Sequence, residues 1–323
     1  MVYGEYIQDK PLELCKLLAQ YLPDHLDTTY LTNSGTEAVE GALKLARRVT
    51  GRSEIIAANR AYHGNTMGAM SVMGFEERKQ PFRPLIPDVK FIDFNDVPQI
   101  DNINNKTAGV ILETIQGGAG FVEPVSGYLE AVQKRCKEVG ALLILDEIQT
   151  GIGRTGKLFG FENYNCGPDV IVCGKGLGGG MPIGAFIASY DKMSTLKQNP
   201  KLGHITTFGG HPVIASAGLA TLNEVVTSNL MKESMRKEAL IREHLSHPLI
   251  SEIRGRGLML AAMTPSKEIT DQVILDCQDN GLILFWLLYE PKAIRITPPL
   301  TISDNEIVKG CKIIINSLNK VTA

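Results

Sequence analysis

The chain has 323 residues, of which 44% are hydrophobic and 21% charged, with a formal net charge of −2. This composition is typical of a folded globular protein, and the near-neutral charge argues against nucleic acid or an anionic membrane surface as a partner. The length suits one large domain plus a smaller one.

Cysteine usage and the absence of targeting signals bear on location. The six cysteines are scattered without a CxxC pair, so we expect reduced thiols. The N-terminus lacks the pattern of a signal peptide, and no apolar run reaches the roughly 18 residues of a spanning helix. The sequence therefore predicts a cytoplasmic protein that is neither exported nor membrane-embedded, and no metal site is predicted.

The first half of the chain alternates helical and strand patterns. Apolar residues at helical spacing predict a helix near 14–21, followed by a short strand at 28–31. Asn33 or Ser34 caps the next helix, which ends at Gly51. Further helices are expected at 128–139 and 211–226. Short, continuously apolar runs predict buried strands at 54–58, 89–94, 109–112, 141–145, 169–172 and 183–188.

Such strands, separated by helices, indicate an α/β fold with a mostly parallel sheet that is covered on both faces. The pattern then changes to a polar helix at 230–245, a glycine-broken strand at 257–263 and a helix at 269–279. We therefore predict a large domain over residues 1–235 and a smaller C-terminal α/β domain over residues 236–323.

One glycine-rich stretch imitates a nucleotide-binding loop. Residues 151–157 fit GxxxxGK, and the strand before them ends in Asp146 and Glu147. That motif needs Ser or Thr after the lysine to hold magnesium and a helix after the loop. Position 158 is Leu, and residues 159–168 show no amphipathic helix. We therefore reject this interpretation.

A second glycine-rich stretch, CGKGLGGGMP, contains a single lysine, Lys175, directly after a predicted strand. A lysine desolvated in a tight turn has a lowered pKa and can act as a Schiff-base nucleophile, although a lysine among glycines is more often part of a surface loop. Asp146, at the end of another strand, needs a cationic partner if it is buried. A protonated pyridine nitrogen, as in pyridoxal phosphate, would be such a partner, whereas a turn-capping aspartate is the simpler alternative.

Two further segments suit the same cofactor. Gly35 and Thr36 stand at a predicted helix start, where free N–H groups and the helix dipole favour a phosphate. Tyr62 precedes a His-Gly pair and offers an aromatic face on which a flat ring could stack. Taken singly, these features are more often a helix cap and a core residue.

The ordered series of motifs resembles the class III, pyridoxal-phosphate-dependent aminotransferases of fold type I, the group that contains acetylornithine and ornithine aminotransferases. The resemblance covers most of the chain through NSGTEAVEGALKLAR, AYHG, ETIQGGAGFVEP, LLILDEIQTGIGRTGKLFGFE, GKGLGGGMPIGA, ITTFGGHP, EIRGRGLML and IRITPPLTI.

The resemblance implies a role for each candidate residue. Lys175 would form the Schiff base with the cofactor and shuttle the proton, and Asp146 would hold the pyridine nitrogen. The other expected cofactor residues, with their roles, are Gln149 at the phenolic oxygen, Tyr62 on the ring face, Gly35 and Thr36 at the phosphate, Thr207 at the same phosphate from a second subunit, and Glu113 as a nearby acid. Arg295 would receive the α-carboxylate of glutamate or 2-oxoglutarate, and the active site would require a homodimer.

The sequence departs from the family pattern at two places. Where the family usually has a glutamate that can cover the carboxylate-binding arginine, this chain has Gly118. We expect Arg295 to stay uncovered, which favours α-carboxylate binding and weakens discrimination in the ω-amino half-reaction. The family's N-terminal segment, with its glycine-histidine-proline stretch, also has no counterpart in the sequence as it stands, and part of the substrate entrance is therefore expected to differ.

The predicted activity is amino-group transfer between an ω-amino or α-amino compound, with ornithine or N-acetylornithine favoured, and 2-oxoglutarate. Other class III chemistries stay open, namely a 4-aminobutyrate aminotransferase, an aminomutase or a racemase. A catalytically weak cofactor binder or a structural dimer partner is a further alternative. A scaffold without catalysis has no evident need for so many costly polar groups, which argues against that last alternative.

Overall fold

The computed structural model describes residues 3–322, in which helices and strands alternate. The helices are α1 Asp9–Gln20, α2 Gly35–Thr50, α3 Met67–Ser71, α4 Glu76–Lys79, α5 Tyr128–Val139, α6 Tyr190–Ser194, α7 Pro212–Thr227, α8 Leu230–His244, α9 Lys267–Asp279 and α10 Asp304–Thr322. The strands are β1 Thr28–Thr32, β2 Glu54–Ala58, β3 Val89–Ile92, β4 Thr107–Glu113, β5 Leu142–Asp146, β6 Val170–Gly174, β7 Gly184–Ala188, β8 Glu252–Arg256, β9 Met259–Met263, β10 Phe285–Trp286 and β11 Ala293–Ile296.

The large sheet has seven strands in the order β1-β7-β6-β5-β4-β2-β3. Strand β7 runs antiparallel to both of its neighbours, and the other pairings are parallel. Successive residues of β4 enter separate cores: Val110 and Leu112 pack in one apolar cluster, and Ile111 packs in another. The sheet is thus buried on both faces, which confirms the predicted α/β fold.

The second sheet has four antiparallel strands in the order β10-β11-β9-β8. Its core joins β9 and β11 to helices α8, α9 and α10 through residues such as Leu260, Ile294, Ile241, Ile274 and Leu318. The boundary expected at residue 236 falls within α8 and stays a prediction. Within residues 3–322, no helix combines the length and the apolar character that crossing a bilayer requires.

The strand predicted over 257–263 is present as β9 from Met259 onward, but a second strand, β8, precedes it and was not predicted. β8 and β9 pair as an antiparallel hairpin, and Gly257 lies in the turn between them with φ of 60°. A Cβ at this glycine would also lie 2.6 Å from Ser234 Oγ. The glycine therefore marks a chain reversal, not a weak point within one strand.

The parallel strands bring three chemically active side chains together. Glu113 and Asp146 are the last residues of β4 and β5 and lie opposite each other in the sheet register. Lys175 directly follows β6, the next strand. Because carboxyl ends of parallel strands meet at one edge, all three groups reach the same crevice, where open α/β sheets bind ligands.

Candidate active site

A cavity of about 1240 Å³ opens at this edge of the large sheet and extends to the small domain. Its wall includes eight of the nine site residues predicted from the sequence: Gly35, Thr36, Tyr62, Glu113, Asp146, Gln149, Lys175 and Arg295. Thr207 is the exception, because it lies exposed outside this cavity. The contact expected from Thr207 of a second subunit stays a prediction.

Lys175 begins a short 3-10 turn directly after β6, with φ of 41°. A non-glycine residue in this region of the backbone is uncommon and concentrates at functional sites. Burial lowers the pKa of Lys175, although the charges of Asp146 and Glu113 act in the opposite direction. The amine is therefore easier to deprotonate, as a nucleophile or proton carrier requires.

Asp146 is held in place from two sides. One carboxylate oxygen, Oδ1, accepts the backbone N–H of Ile148 at 3.0 Å. The other, Oδ2, lies 2.8 Å from Nδ1 of His63, whose side chain is fully buried. Asp146 itself is 5% exposed, so its remaining free surface faces the cavity.

Glu113 accepts two backbone hydrogen bonds, from Gly117 at 3.0 Å to Oε1 and from Tyr62 at 3.1 Å to Oε2. Burial nevertheless raises its pKa to about 7, because desolvation disfavours the charged form more than these bonds favour it. Glu113 therefore exchanges a proton near neutral pH and also fixes the backbone of Tyr62.

The N-terminus of α2 has the features of a phosphate site. Ser34 caps the helix by accepting the N–H of Glu37 at 3.3 Å. The N–H groups of Gly35 and Thr36 donate to no acceptor in residues 3–322. Gly64, at φ of 128°, lies so close to Thr36 Oγ1 that a Cβ there would collide with it. The free donors and the helix dipole together favour an anion.

Arg295 projects from β11 in the small domain, half-buried, with its guanidinium carbon 5.3 Å from the ring centroid of Phe285. Burial lowers its pKa. Among the described residues no carboxylate pairs with it. A guanidinium in this state is suited to bind a carboxylate from a ligand through two parallel hydrogen bonds.

Gly118 lies in the cavity wall against the ring of Tyr289. A Cβ at position 118 would lie 2.8 Å from Tyr289 Cδ2 and 2.9 Å from Cε2. The Tyr289 N–H also donates to the Gly118 carbonyl at 2.9 Å, and the ring stacks on Phe75 with centroids 4.6 Å apart. The structure thus explains the glycine: a tyrosine ring occupies the space that a side chain would need.

The stretch at 151–157, which imitates a nucleotide-binding loop, contributes only to the wall of this cavity. Gly151, Ile152 and Arg154 line the cavity. No α-helix follows the stretch, and the next element is a 3-10 turn at Gly160–Asn163. The absence of the helix agrees with the rejection of a nucleotide-binding loop.

The donor set fits pyridoxal phosphate on the geometry just described. The cavity holds a lysine with a lowered pKa, a strand-end aspartate, free N–H groups at a helix start and an aromatic side chain. Together with the doubly covered, mostly parallel sheet and the small antiparallel domain, it defines a pyridoxal-phosphate-dependent enzyme of fold type I.

Comparison with known proteins gives the family. The family profile described as Aminotransferase class-III matches residues 1–318. A putrescine aminotransferase from Pectobacterium atrosepticum is 40% identical over 326 aligned positions, which cover 95% of this chain and 69% of that protein. The chain therefore belongs to the class III aminotransferases, and it is a transaminase that uses pyridoxal phosphate.

Solved structures agree with this assignment. The ornithine aminotransferase from Toxoplasma gondii ME49 superposes with a TM-score of 0.92 at 30% identity, covering 100% of this chain and 79% of that chain. An aminotransferase from Bacillus anthracis superposes with a TM-score of 0.91 at 26% identity, covering 99% of this chain and 82% of that one. The resemblance seen in the motifs and the expected cofactor are confirmed at the level of the family.

Proposed function

We propose that this enzyme moves the amino group of an ω-amino compound to 2-oxoglutarate, forming glutamate. The observation that carries the proposal is the single cavity that contains Lys175 with a lowered pKa, Asp146 and the uncovered guanidinium of Arg295. Those groups serve amine chemistry at one end and carboxylate recognition at the other.

The cofactor, when bound, supplies an electron sink that stabilises negative charge on the substrate carbon. Gly35 and Thr36 would hold its phosphate, Gln149 would bond its phenolic oxygen, and the ring of Tyr62 would cover one face. Asp146 would keep the proton on the pyridine nitrogen, because a buried carboxylate is stabilised by a cationic partner.

The chain's own proton carrier is Lys175. When the cofactor is bound, the Nζ amine of Lys175 would take the proton from the substrate carbon and would return it later in the reaction. The first step requires a deprotonated amine, and desolvation favours that form by lowering the pKa of Lys175. Glu113, next to Asp146 in the register, adds a buried acid that holds a proton near neutral pH.

Arg295 receives the α-carboxylate of glutamate and 2-oxoglutarate. Ornithine or N-acetylornithine is the favoured amino donor. Putrescine is a second candidate, because the 40% identical relative bears that name. A homodimer in which Thr207 reaches the partner's phosphate and a cytoplasmic location both stay predictions.

The proposal is tested with 2-oxoglutarate and one ¹⁵N-labelled donor at a time: ornithine, N-acetylornithine, putrescine and 4-aminobutyrate. We expect labelled glutamate from at least one of these donors by mass spectrometry, and none with Lys175→Ala. Absence of labelled glutamate with all four, in protein that carries the cofactor, contradicts the proposed transfer and leaves the other class III chemistries.

Gly118 is expected to influence the choice of amino donor, because it stands where the family usually has a glutamate that can cover the carboxylate-binding arginine. A glutamate introduced there would supply the missing carboxylate, but its Cβ would clash with Tyr289. The informative variant is therefore Gly118→Glu combined with Tyr289→Ala, with Gly118→Gln in the same background as the uncharged control. We expect only the glutamate variant to lower the glutamate rate relative to the ornithine rate. Equal rate ratios in both variants contradict the expected role of Gly118.

A further inference from the structure

His63 is a buried titratable residue to which the reaction described above assigns no role. Its side chain is fully buried, and its Nδ1 lies 2.8 Å from Oδ2 of Asp146. Its other ring nitrogen, Nε2, is buried without a hydrogen-bond partner in residues 3–322. A buried polar atom left without a partner requires an explanation.

The two ring nitrogens together identify the tautomer. A proton on Nε2 would leave an N–H group buried without an acceptor and would place two acceptors, Nδ1 and the carboxylate, against each other. A proton on Nδ1 instead makes a charge-assisted hydrogen bond to Asp146, which is the stronger kind. His63 is therefore the donor and the Asp146 carboxylate is the acceptor.

The hydrogen bond between His63 and Asp146 helps to fix the orientation of the Asp146 carboxylate. Oδ1 of Asp146 is occupied by the Ile148 N–H and Oδ2 by His63, so both oxygens are fixed in orientation. The neighbouring residue, Tyr62, is tied through its N–H to Glu113. One short segment, residues 62–63, thus connects both strand-end acids of the site.

We propose that His63 is a positioning residue that orients the Asp146 carboxylate toward the ring nitrogen of the cofactor. The inference rests on the proposed role of Asp146. It predicts that the effect of His63 depends on the ring nitrogen: the hydrogen bond matters only when a protonated nitrogen is present for Asp146 to hold.

The test compares two aldehydes, pyridoxal phosphate and an analogue in which carbon replaces the ring nitrogen. Both are titrated into the full chain carrying Lys175→Ala, so that binding is non-covalent and no turnover is needed. Trp286, the one tryptophan of the sequence, lines the cavity, and quenching of its fluorescence reports binding. Calorimetry supplies a second measurement of each dissociation constant.

The variants separate positioning from packing. We expect His63→Ala and His63→Phe to weaken pyridoxal phosphate binding about tenfold, as loss of a hydrogen bond to a charged group would. His63→Asn, which keeps a donor near the Nδ1 position, restores most of the affinity. None of the three changes affinity for the nitrogen-free analogue, and Asp146→Asn removes the preference for pyridoxal phosphate over it.

Two results overturn the inference. Equal weakening of both aldehydes would mean that His63 only supports packing, and unchanged affinity for pyridoxal phosphate in His63→Ala and His63→Phe would mean that it does not act on Asp146. A chain with His63 intact that binds neither aldehyde instead contradicts the proposed function itself, and the inference fails with it.

Discussion

Replacement of Gly118 by alanine tests the packing that closes one wall of the cavity. The added Cβ would lie 2.8 Å and 2.9 Å from two ring carbons of Tyr289. The ring cannot easily move away, because it stacks on Phe75 and its backbone is bonded on both sides. Tyr289 donates its N–H to Gly118, and its carbonyl accepts from Arg60 at 2.8 Å.

The expected magnitude follows from two opposing effects. Forcing an extra carbon into a well-packed region costs about 1–3 kcal/mol. Gly118 is not among the glycines with positive φ, so alanine also reduces the entropy of the unfolded chain and contributes about 0.4–1 kcal/mol of stability. We therefore expect Gly118→Ala to destabilise the protein by about 1–2 kcal/mol.

Urea unfolding of the cofactor-free protein measures this difference. The matched control is Gly310→Ala on α10, where a Cβ would lie no closer than 3.6 Å to Leu282, and we expect a gain of up to about 1 kcal/mol. In a Tyr289→Ala background the change at Gly118 should become neutral or stabilising. A Gly118→Ala protein as stable as wild type refutes the packing argument, and so does an equal loss in both backgrounds.

Three further predictions concern the site. Arg295→Gln should raise the KM for 2-oxoglutarate by roughly ten- to a hundredfold without changing cofactor affinity, and steady-state kinetics that show an unchanged KM would contradict its role. Ser34→Ala should lower the unfolding free energy by about 1 kcal/mol through loss of the α2 cap, and an unchanged urea midpoint would count against that cap. The pKa of Glu113 rises from 4.5 to about 7 on folding, so its contribution to stability falls by up to about 3 kcal/mol as pH rises through that interval. Glu113→Gln should therefore flatten the pH dependence of unfolding between these values, and parallel curves for variant and wild type would contradict the shift.

Most of the large sheet follows from the sequence because its strands are continuously apolar and buried on both faces. The direction of β7 does not follow from its composition, which resembles that of its parallel neighbours. It could have been predicted from the connection: residues 175–183 between β6 and β7 are fewer than the dozen or more that a parallel crossover needs. The hairpin of β8 and β9 does not follow from the sequence, because the pattern places Gly257 within one strand and not in a turn between two.

In the candidate site, too, only residues with a local sequence signal could be predicted. Lys175, Asp146 and Gly35 were predictable because each stands next to a recognisable strand end or helix start. His63 and Tyr289 were not, because their importance lies in contacts with residues far away in the chain, Asp146 and Gly118. The His-Gly pair after Tyr62 was a visible signal for His63, but no local pattern connects it to an aspartate on β5.

The central claim is that Lys175 binds the cofactor and starts amino transfer from glutamate. The most direct measurement is the visible absorbance spectrum of the protein with pyridoxal phosphate, before and after glutamate, alongside Lys175→Ala. We expect a yellow band that is lost on adding glutamate and is missing from the variant. A band that persists unchanged in Lys175→Ala, or one that glutamate leaves intact in the wild-type protein, would contradict the account.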